Sequence, residues 1–299
     1  MSKVKLAAAK GFTLIELITV IIVLGVVSIG IAGFLRGGFQ IYADATERQQ
    51  ILTESRFVVE RLNRELRMAI PNSVRLIDDL TLEIQCIEFV PAEWVSFYTT
   101  LPVSTSTLPA SPSVSTQARI VELPNNRLFS LQLGDFAFVS PTDNDDIYLA
   151  SEQKRQTVLA CSDALDGDGN PDGDGDCNTA DSKSHTAELT LSGAFADESP
   201  ASRMYFGRRI VSFCARTEGG KKGIYRHQGN ITTKPTLYDT GGDLMAQHLR
   251  NDLSENDQLP FAVSSAVLNR NGLVHMVLAF ELNEEPMNYS IEVHIPNVP

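Results

Sequence analysis

A long apolar run near the N-terminus constrains this chain more than any other feature. Residues 12–35 read FTLIELITVIIVLGVVSIGIAGFL and contain a single ionisable group, Glu16. About 20 apolar residues cross the hydrocarbon core of a bilayer as a helix, whereas an ordinary secretory signal has an apolar core of only about 7–15 residues. The run therefore predicts a transmembrane helix over residues 12–35.

Charge is distributed unevenly around this run. Residues 1–11 carry three lysines and no acid, while the rest of the chain carries 22 basic and 37 acidic residues. Lys and Arg are enriched on the cytoplasmic side of membrane helices. We therefore expect a single-pass inner-membrane protein with a cytoplasmic N-terminus and a periplasmic head. A net charge of -12 argues against nucleic acid as a partner, because phosphate binding needs clustered basic residues.

Seven residues at the start of the run carry a family resemblance. The stretch Lys10-Gly11-Phe12-Thr13-Leu14-Ile15-Glu16 is similar to the class III signal of type IV pilins and type II secretion pseudopilins. The resemblance implies that residues 1–11 are a leader peptide, and that a prepilin peptidase cuts between Gly11 and Phe12 and N-methylates Phe12. It also implies three partners: other pilins and minor pilins packed through the N-terminal helix, the prepilin peptidase, and an inner-membrane assembly platform.

Glu16 has a physical rationale within that resemblance. A carboxylate deep in a membrane helix costs about 2.5–3.5 kcal/mol on insertion scales, so it is usually functional or paired. Cleavage creates an ammonium group at Phe12, and a carboxylate of a neighbouring subunit attracts it strongly where the dielectric constant is low. The two residues are about 6 Å apart along a helix axis. We therefore expect Glu16 to set the axial register of the subunit in a fibre.

A second helical segment follows the apolar run. Residues 52–69 place their apolar side chains at intervals of three and four, which is typical of an amphipathic helix with one packing stripe. Pro71 and Asn72 end it. The prediction is a pilin helix over residues 12–70, with Arg36-Gly37-Gly38 as a place where it bends. Residues 54–69 resemble the same region of minor pilins of the PilW and GspJ-like kind.

Residues 71–299 read as a β-rich head. Segments rich in Ile, Val and Phe predict strands over Leu82–Val90, Arg119–Leu123, Phe136–Val139, Ile210–Ala215, Phe261–Asn269, Leu273–Leu282 and Asn288–Ile295. Asn271-Gly272 is a strong hairpin-turn signal, and the Ser/Thr/Pro-rich residues 99–118 predict a loop. The expected fold class is α+β, with the long N-terminal helix packed on a mainly antiparallel sheet. The whole pattern most resembles the MshO-like pseudopilins of the mannose-sensitive haemagglutinin (MSHA) pilus system.

Four cysteines stand beyond the membrane segment, and none forms a C-x-x-C pair. An even number favours disulfides in an oxidising compartment. Three pairings exist for four cysteines, and we favour Cys161–Cys177, which closes a local loop, with Cys86–Cys214, which joins two predicted strands. Two unpaired thiols are the alternative.

The loop between Cys161 and Cys177 is strongly acidic. Residues 161–177 read CSDALDGDGNPDGDGDC, with six oxygen-bearing side chains at Asp166, Asp168, Asn170, Asp172, Asp174 and Asp176. Oxygen-rich, Gly-permissive loops suit Ca²⁺, although position twelve of an EF-hand pattern is Thr179 rather than Glu. Two interpretations stay open: an irregular Ca²⁺ loop and a solvated acidic turn.

No catalytic motif is present in the sequence. The five histidines, His185, His227, His248, His275 and His294, are scattered, and H-E-x-x-H, G-x-S-x-G and phosphate-binding glycine loops are absent. We therefore expect a protein that is not an enzyme but a minor subunit of an MSHA-type pilus, acting in pilus assembly near the tip. The alternatives are a minor pseudopilin of a type II secretion system and a calcium-assisted adhesin at the pilus tip.

Overall fold

The computed structural model describes residues 13–104, 116–121, 131–163, 186–264, 271–283 and 285–295. Within these residues there are two α-helices, α1 (Leu14–Arg67) and α2 (Asn144–Tyr148). The strands are β1 (Arg75–Asp79), β2 (Ile84–Phe89), β3 (Trp94–Thr100), β4 (Gln117–Val121), β5 (Phe136–Val139), β6 (Arg155–Asp163), β7 (Thr186–Leu191), β8 (Arg203–Gly207), β9 (Ile210–Glu218), β10 (Lys221–Gly229), β11 (Asp243–Gln247), β12 (Phe261–Ser264), β13 (Gly272–Leu282) and β14 (Glu285–Ile295).

Helix α1 is a single element of 54 residues. It continues through Gly37 and Gly38, where the sequence suggested a bend, and it ends three residues before the predicted limit at residue 70. Arg64 and Arg67 lie in its last turn, where positive charge complements the helix dipole. The chain divides into two compact units between Gln50 and Ile51, so the two halves of α1 belong to different units.

The second half of α1 belongs to the core of the head. It contacts a five-stranded sheet with the order β1-β2-β9-β10-β11 and a three-stranded sheet with the order β12-β13-β14. Leu62 and Leu66 are fully buried in this core, as the three-and-four spacing predicted, and so is Val58, which that spacing did not include. They pack with residues on the faces of both sheets that are turned toward α1, such as Phe213 and Phe280. The α+β class is therefore confirmed, with mainly antiparallel sheets.

Six further strands close into a barrel that the sequence did not predict. Its order is β3-β4-β7-β6-β5-β8, and every described pair of neighbouring strands in it is antiparallel. Closure removes the free edges of a sheet. The barrel has its own apolar core, in which the rings of Trp94 and Phe206 stack with centroids 5.1 Å apart.

The predicted disulfide between Cys86 and Cys214 is confirmed. The two residues lie opposite each other on the antiparallel strands β2 and β9, with Cα atoms 4.0 Å apart. The bond joins positions 128 residues apart, so it strongly restricts the unfolded chain. Cys161 is also disulfide-bonded, whereas Cys177, the partner that the sequence predicts for it, lies outside the described residues.

The Asn271-Gly272 hairpin forms with a different register from the predicted one. β12 and β13 do pair antiparallel, but Ser264 lies opposite Leu273, whereas a two-residue turn at Asn271-Gly272 would place residue 270 there. Residues 265–269 of the predicted strand Phe261–Asn269 lie outside the described residues. The physical reason is competition for the edge of β13. Arg250 N donates to Ala279 O at 2.7 Å, and Glu281 N donates to His248 O at 3.0 Å. The segment around residues 248–251 thus occupies the later part of that edge and leaves only its first part to β12.

The remaining strand predictions are confirmed within one to three residues at most ends, and Phe136–Val139 agrees at both ends. The predicted end at Leu123 lies outside the described residues. The loop predicted over residues 99–118 is wrong by two residues at each end, because β3 extends to Thr100 and β4 begins at Gln117. Pairing between β3 and β4 draws the ends of the predicted loop into the strands, and Thr100 lies opposite Arg119 in this pairing. Residues 105–115 lie outside the described part of the chain.

Candidate functional site

The first half of α1 exposes many large apolar side chains. Every described residue from Thr13 to Gln50 is exposed, whereas Ile51, the next residue, is only 2% exposed. Soluble proteins rarely leave a large contiguous apolar surface open to water. The exposed large apolar side chains between residues 14 and 35 are Leu14, Ile15, Leu17, Ile18, Val20, Ile21, Ile22, Val23, Leu24, Val26, Val27, Ile29, Ile31, Phe34 and Leu35.

The length and composition of this helix are sufficient to cross a membrane. An 18-residue window within α1 has a mean hydropathy of 2.7, and none of that window is buried against the rest of the chain. The apolar residues surround the helix instead of forming one stripe. A helix that is apolar on all sides is suited to lipid or to the interior of a helix bundle.

Glu16 lies in the first turn of α1 and is exposed. The backbone there is regular, since Glu16 N donates to Thr13 O at 3.1 Å and Thr19 Oγ1 donates to Glu16 O at 3.0 Å. An acid in the first turn is favoured by the positive end of the helix dipole. Among the described residues, no hydrogen bond or ion pair involves the carboxylate.

Five glycines lie along α1, three of them within the apolar run of residues 12–35. A methyl group added at Gly25, Gly30, Gly33, Gly37 or Gly38 meets no atom within 4 Å apart from its chain neighbours and the nearby backbone of its own helix. These glycines therefore serve no close packing within the described residues. In membranes, small residues allow the backbones of two helices to approach closely, so the same positions are suited to contact with another helix.

Several predicted site residues lie outside the described part of the chain. Gly11 and Phe12, the predicted cleavage and methylation site, are among them. So is the acidic loop, with Asp166, Asp168, Asn170, Asp172, Asp174 and Asp176. Its neighbours β6 and β7 are paired antiparallel, with Cys161 opposite Leu189. No group of three or more metal-ligating side chains occurs within the described ranges, and the calcium prediction concerns residues beyond them.

Sequence reasoning missed a second group of polar residues, on the face of the five-stranded sheet opposite α1. Arg75, Glu88, Arg216 and His227 are all less than 10% exposed. Burial raises the pKa of Glu88, although Arg75 beside it opposes that shift. No local sequence pattern indicated this group, because its members come from four different strands, β1, β2, β9 and β10. No family profile, curated protein or solved structure matches this chain.

Proposed function

We propose that this chain is a minor pilin-like subunit of an MSHA-type type IV pilus. Residues 12–35 hold it in the inner membrane with its head in the periplasm, and it enters the fibre after cleavage between Gly11 and Phe12. It takes part in pilus assembly and initiation near the tip. The observation that carries the proposal is the pilin-like stretch of residues 10–16 directly before an apolar helix that the rest of the chain leaves exposed.

The energetics of α1 support a partner for its first half. Burying one Leu, Ile, Val or Phe side chain contributes about 1.5–3 kcal/mol, and fifteen such side chains are exposed between residues 14 and 35. Lipid covers them while the subunit is in the membrane. The helices of neighbouring subunits cover them after assembly, and the five glycines of α1 permit close contact there.

Glu16 determines the axial position of each helix relative to its neighbour in this packing. An apolar helix surface alone tolerates axial slippage, because every level of the surface is similar. A neighbouring subunit displaced by about one turn brings its Phe12 ammonium to the Glu16 carboxylate. The pair is strongly attractive in a medium of low dielectric constant, and displacement by a further turn separates the charges. Glu16 therefore selects one register among many.

The proposed position of the subunit near the fibre tip rests on the size of its head. A head that follows residue 70 with more than two hundred residues is easiest to accommodate at the end of a fibre, where it has fewer neighbours. The pilin-like residues 10–16 and the apolar helix that follows them also suit a minor pseudopilin of a type II secretion system. Deletion separates the two functions, since loss of surface fibres indicates a pilus and loss of secreted hydrolases indicates secretion.

The mature N-terminus tests the proposal. We expect intact-mass spectrometry of the membrane-extracted protein to find a chain that begins with N-methylated Phe12 in cells with an active prepilin peptidase. In cells without that peptidase the same protein begins at or near Met1. A chain that retains residues 1–11 in the presence of the active peptidase contradicts the proposal.

A further inference from the structure

The segment 230–242, which connects β10 to β11, covers the outer face of the five-stranded sheet. It contains no regular helix or strand, and side chains from the sheet hold it at two places. Arg75 donates from Nη2 to Thr232 O at 3.0 Å and from Nη1 to Thr233 O at 2.9 Å. Arg216 donates to Tyr238 O at 3.4 Å and to Gly241 O. We call residues 230–242 the cover segment.

The cover segment encloses the disulfide. Cys86 and Cys214 are completely buried, and they form a small apolar cluster with Ile84 against which Leu237 and Tyr238 pack. Strands alternate their side chains between two faces, so the disulfide lies on the side of the sheet away from α1. Access of a reagent to its sulfur atoms from this side therefore depends on the position of Leu237 and Tyr238.

His227 connects the sheet to the cover segment. Its ring is stacked on that of Tyr238, with centroids 4.2 Å apart and an interplanar angle of 13°. Its Nε2 lies 2.9 Å from Nη1 of Arg216. A guanidinium group has only donors, so Nε2 is the acceptor and the imidazole is neutral, with its proton on Nδ1. The side chain of Arg216, which also holds Tyr238 O and Gly241 O, is thereby fixed.

The charges around His227 come from three elements. Arg216 and Glu218 lie on β9, and Asp243 begins β11; from the cover segment, the Tyr238 phenol faces the ring. Glu88 lies further away on the same face, since Glu88 and His227 are both opposite Ser212. Burial and the Arg216 guanidinium lower the pKa of His227, and Glu218 and Asp243 only partly oppose this.

Two glycines allow this close approach. A methyl group on Gly242 would lie 2.5 Å from Cε1 of His227, and one on Gly229 would lie 2.6 Å from the hydroxyl of Tyr238. Contacts below 3.0 Å are essentially never seen for real Cβ atoms. Gly229, directly before the cover segment, and Gly242, its last residue, thus leave room for the rings of Tyr238 and His227.

We propose that the cover segment is a pH-dependent cap over the Cys86–Cys214 disulfide and that protonation of His227 opens it. The proton binds at Nε2 and takes the lone pair that accepts the hydrogen bond from Arg216. Two cations then face each other in a buried site, and separation of the ring from Arg216 is the way to relieve the repulsion. The ring carries Tyr238 with it, and Leu237 and Tyr238 leave the disulfide.

The direction of the pH effect follows from the lowered pKa of His227 in the folded protein. The open state has the ordinary value of about 6.5, so it binds more protons than the closed state below that pH. The closed state is fully favoured above about pH 6.5. Its advantage decreases as the pH falls from there toward the lower pKa of the folded protein.

Reduction by a water-soluble phosphine tests the proposal on the full chain in detergent micelles. Each reaction consumes one phosphine, one disulfide and one water, and yields one phosphine oxide and two thiols. Alkylation of the thiols and peptide mass spectrometry measure the reduction rate at Cys86 and Cys214. Dividing the rate for denatured protein by that for native protein at each pH gives a protection factor. We expect that factor to fall at least tenfold between pH 7.5 and pH 5.

Two variants distinguish His227 from other titrating groups. In His227→Gln a neutral amide oxygen still accepts from Arg216 but does not titrate, so we expect protection to change less than twofold over this range. The matched control is His294→Gln, which alters an exposed histidine on β14 and retains the tenfold fall. Constant protection in the wild type, or an equal fall in His227→Gln, overturns the proposal.

Hydrogen exchange of the wild-type protein supplies a measurement that requires no variant. After correction for intrinsic rates, we expect amides of residues 231–240 to lose protection between pH 7.5 and pH 5, while amides of β9 keep theirs. Equal loss in both regions indicates general unfolding of the sheet and contradicts a specific cap. Unchanged protection in both regions also contradicts it.

Discussion

Arg226 on β10 and Glu65 on α1 form an ion pair across the core of the head, with Nε of Arg226 3.1 Å and 3.2 Å from the two carboxylate oxygens. The Arg226 side chain is 9% exposed and that of Glu65 is 18% exposed. Arg61, one turn earlier on the helix, donates to the same carboxylate at 2.9 Å. The pair therefore fixes the rotation of the buried half of α1 against the five-stranded sheet.

Removing Glu65 isolates a buried guanidinium. We predict that Glu65→Ala lowers the free energy of unfolding by about 3 kcal/mol, because breaking one partner of a buried pair leaves an uncompensated charge. Urea denaturation of the full chain in detergent, followed by far-UV circular dichroism, measures the loss. The matched control is Glu281→Ala, which breaks the exposed pair of Arg250 and Glu281 and costs less than about 1 kcal/mol. Equal losses in the two variants contradict the prediction.

The Arg226–Glu65 pair also shows why the sequence predicted the helix and its buried face but not the ion pair that the helix makes with the sheet. The three-and-four spacing of residues 52–69 predicted the helix and its buried face, because both are local properties. The partner of Arg226 is 161 residues away, and no local pattern contains it. β10, which carries Arg226 and His227, was not among the predicted strands.

The barrel was missed for a related reason. β2 and β9 are long buried runs, and the sequence predicted both of them. β7, with the sequence TAELTL, alternates polar and apolar residues as a half-buried strand does, and its apolar residues are the buried ones, but the strand was not predicted. The six strands are recognisable as a barrel only once their pairing is known. The candidate site, in contrast, could be predicted from the sequence. Glu16 is the single ionisable residue of a long apolar run, and no knowledge of strand pairing is needed to recognise it.

Gly241 and Gly242 offer a matched pair of substitutions in the cover segment. Both have positive φ, of 75° and 80°, so an alanine at either position suffers backbone strain of about 1–2 kcal/mol. Only at Gly242 does the added methyl group also meet His227. We predict that Gly242→Ala lowers the free energy of unfolding at neutral pH by more than Gly241→Ala does. Urea denaturation measures both, and equal costs contradict the contact with His227.

A second charge in the apolar run tests the membrane role of α1. We predict that Ile22→Lys reduces the share of the protein in the membrane fraction, because a lysine near the centre of a membrane helix costs about 2.5–3.5 kcal/mol on insertion scales. Alkaline extraction of membranes followed by immunoblotting measures that share. Ala43→Lys adds the same charge to the same helix outside the apolar run and is expected to behave like the wild type. If both variants stay fully membrane-bound, residues 12–35 are not the anchor.

The role of Glu16 can be separated from cleavage and from insertion. On the proposed function, Glu16→Ala is cleaved and inserted normally, since the peptidase site at Gly11 and Phe12 and the apolar run are unchanged. We predict that its amount in purified fibres falls at least tenfold, because a subunit without the carboxylate has no counter-charge for the ammonium of its neighbour. Quantitative immunoblotting of sheared fibres against whole-cell protein measures incorporation. Asp44→Ala, which removes an exposed acid of α1 beyond the apolar run, is expected to enter fibres at the wild-type level. Normal incorporation of Glu16→Ala would show that apolar packing alone sets the register, and equal loss in both variants would indicate a general charge effect.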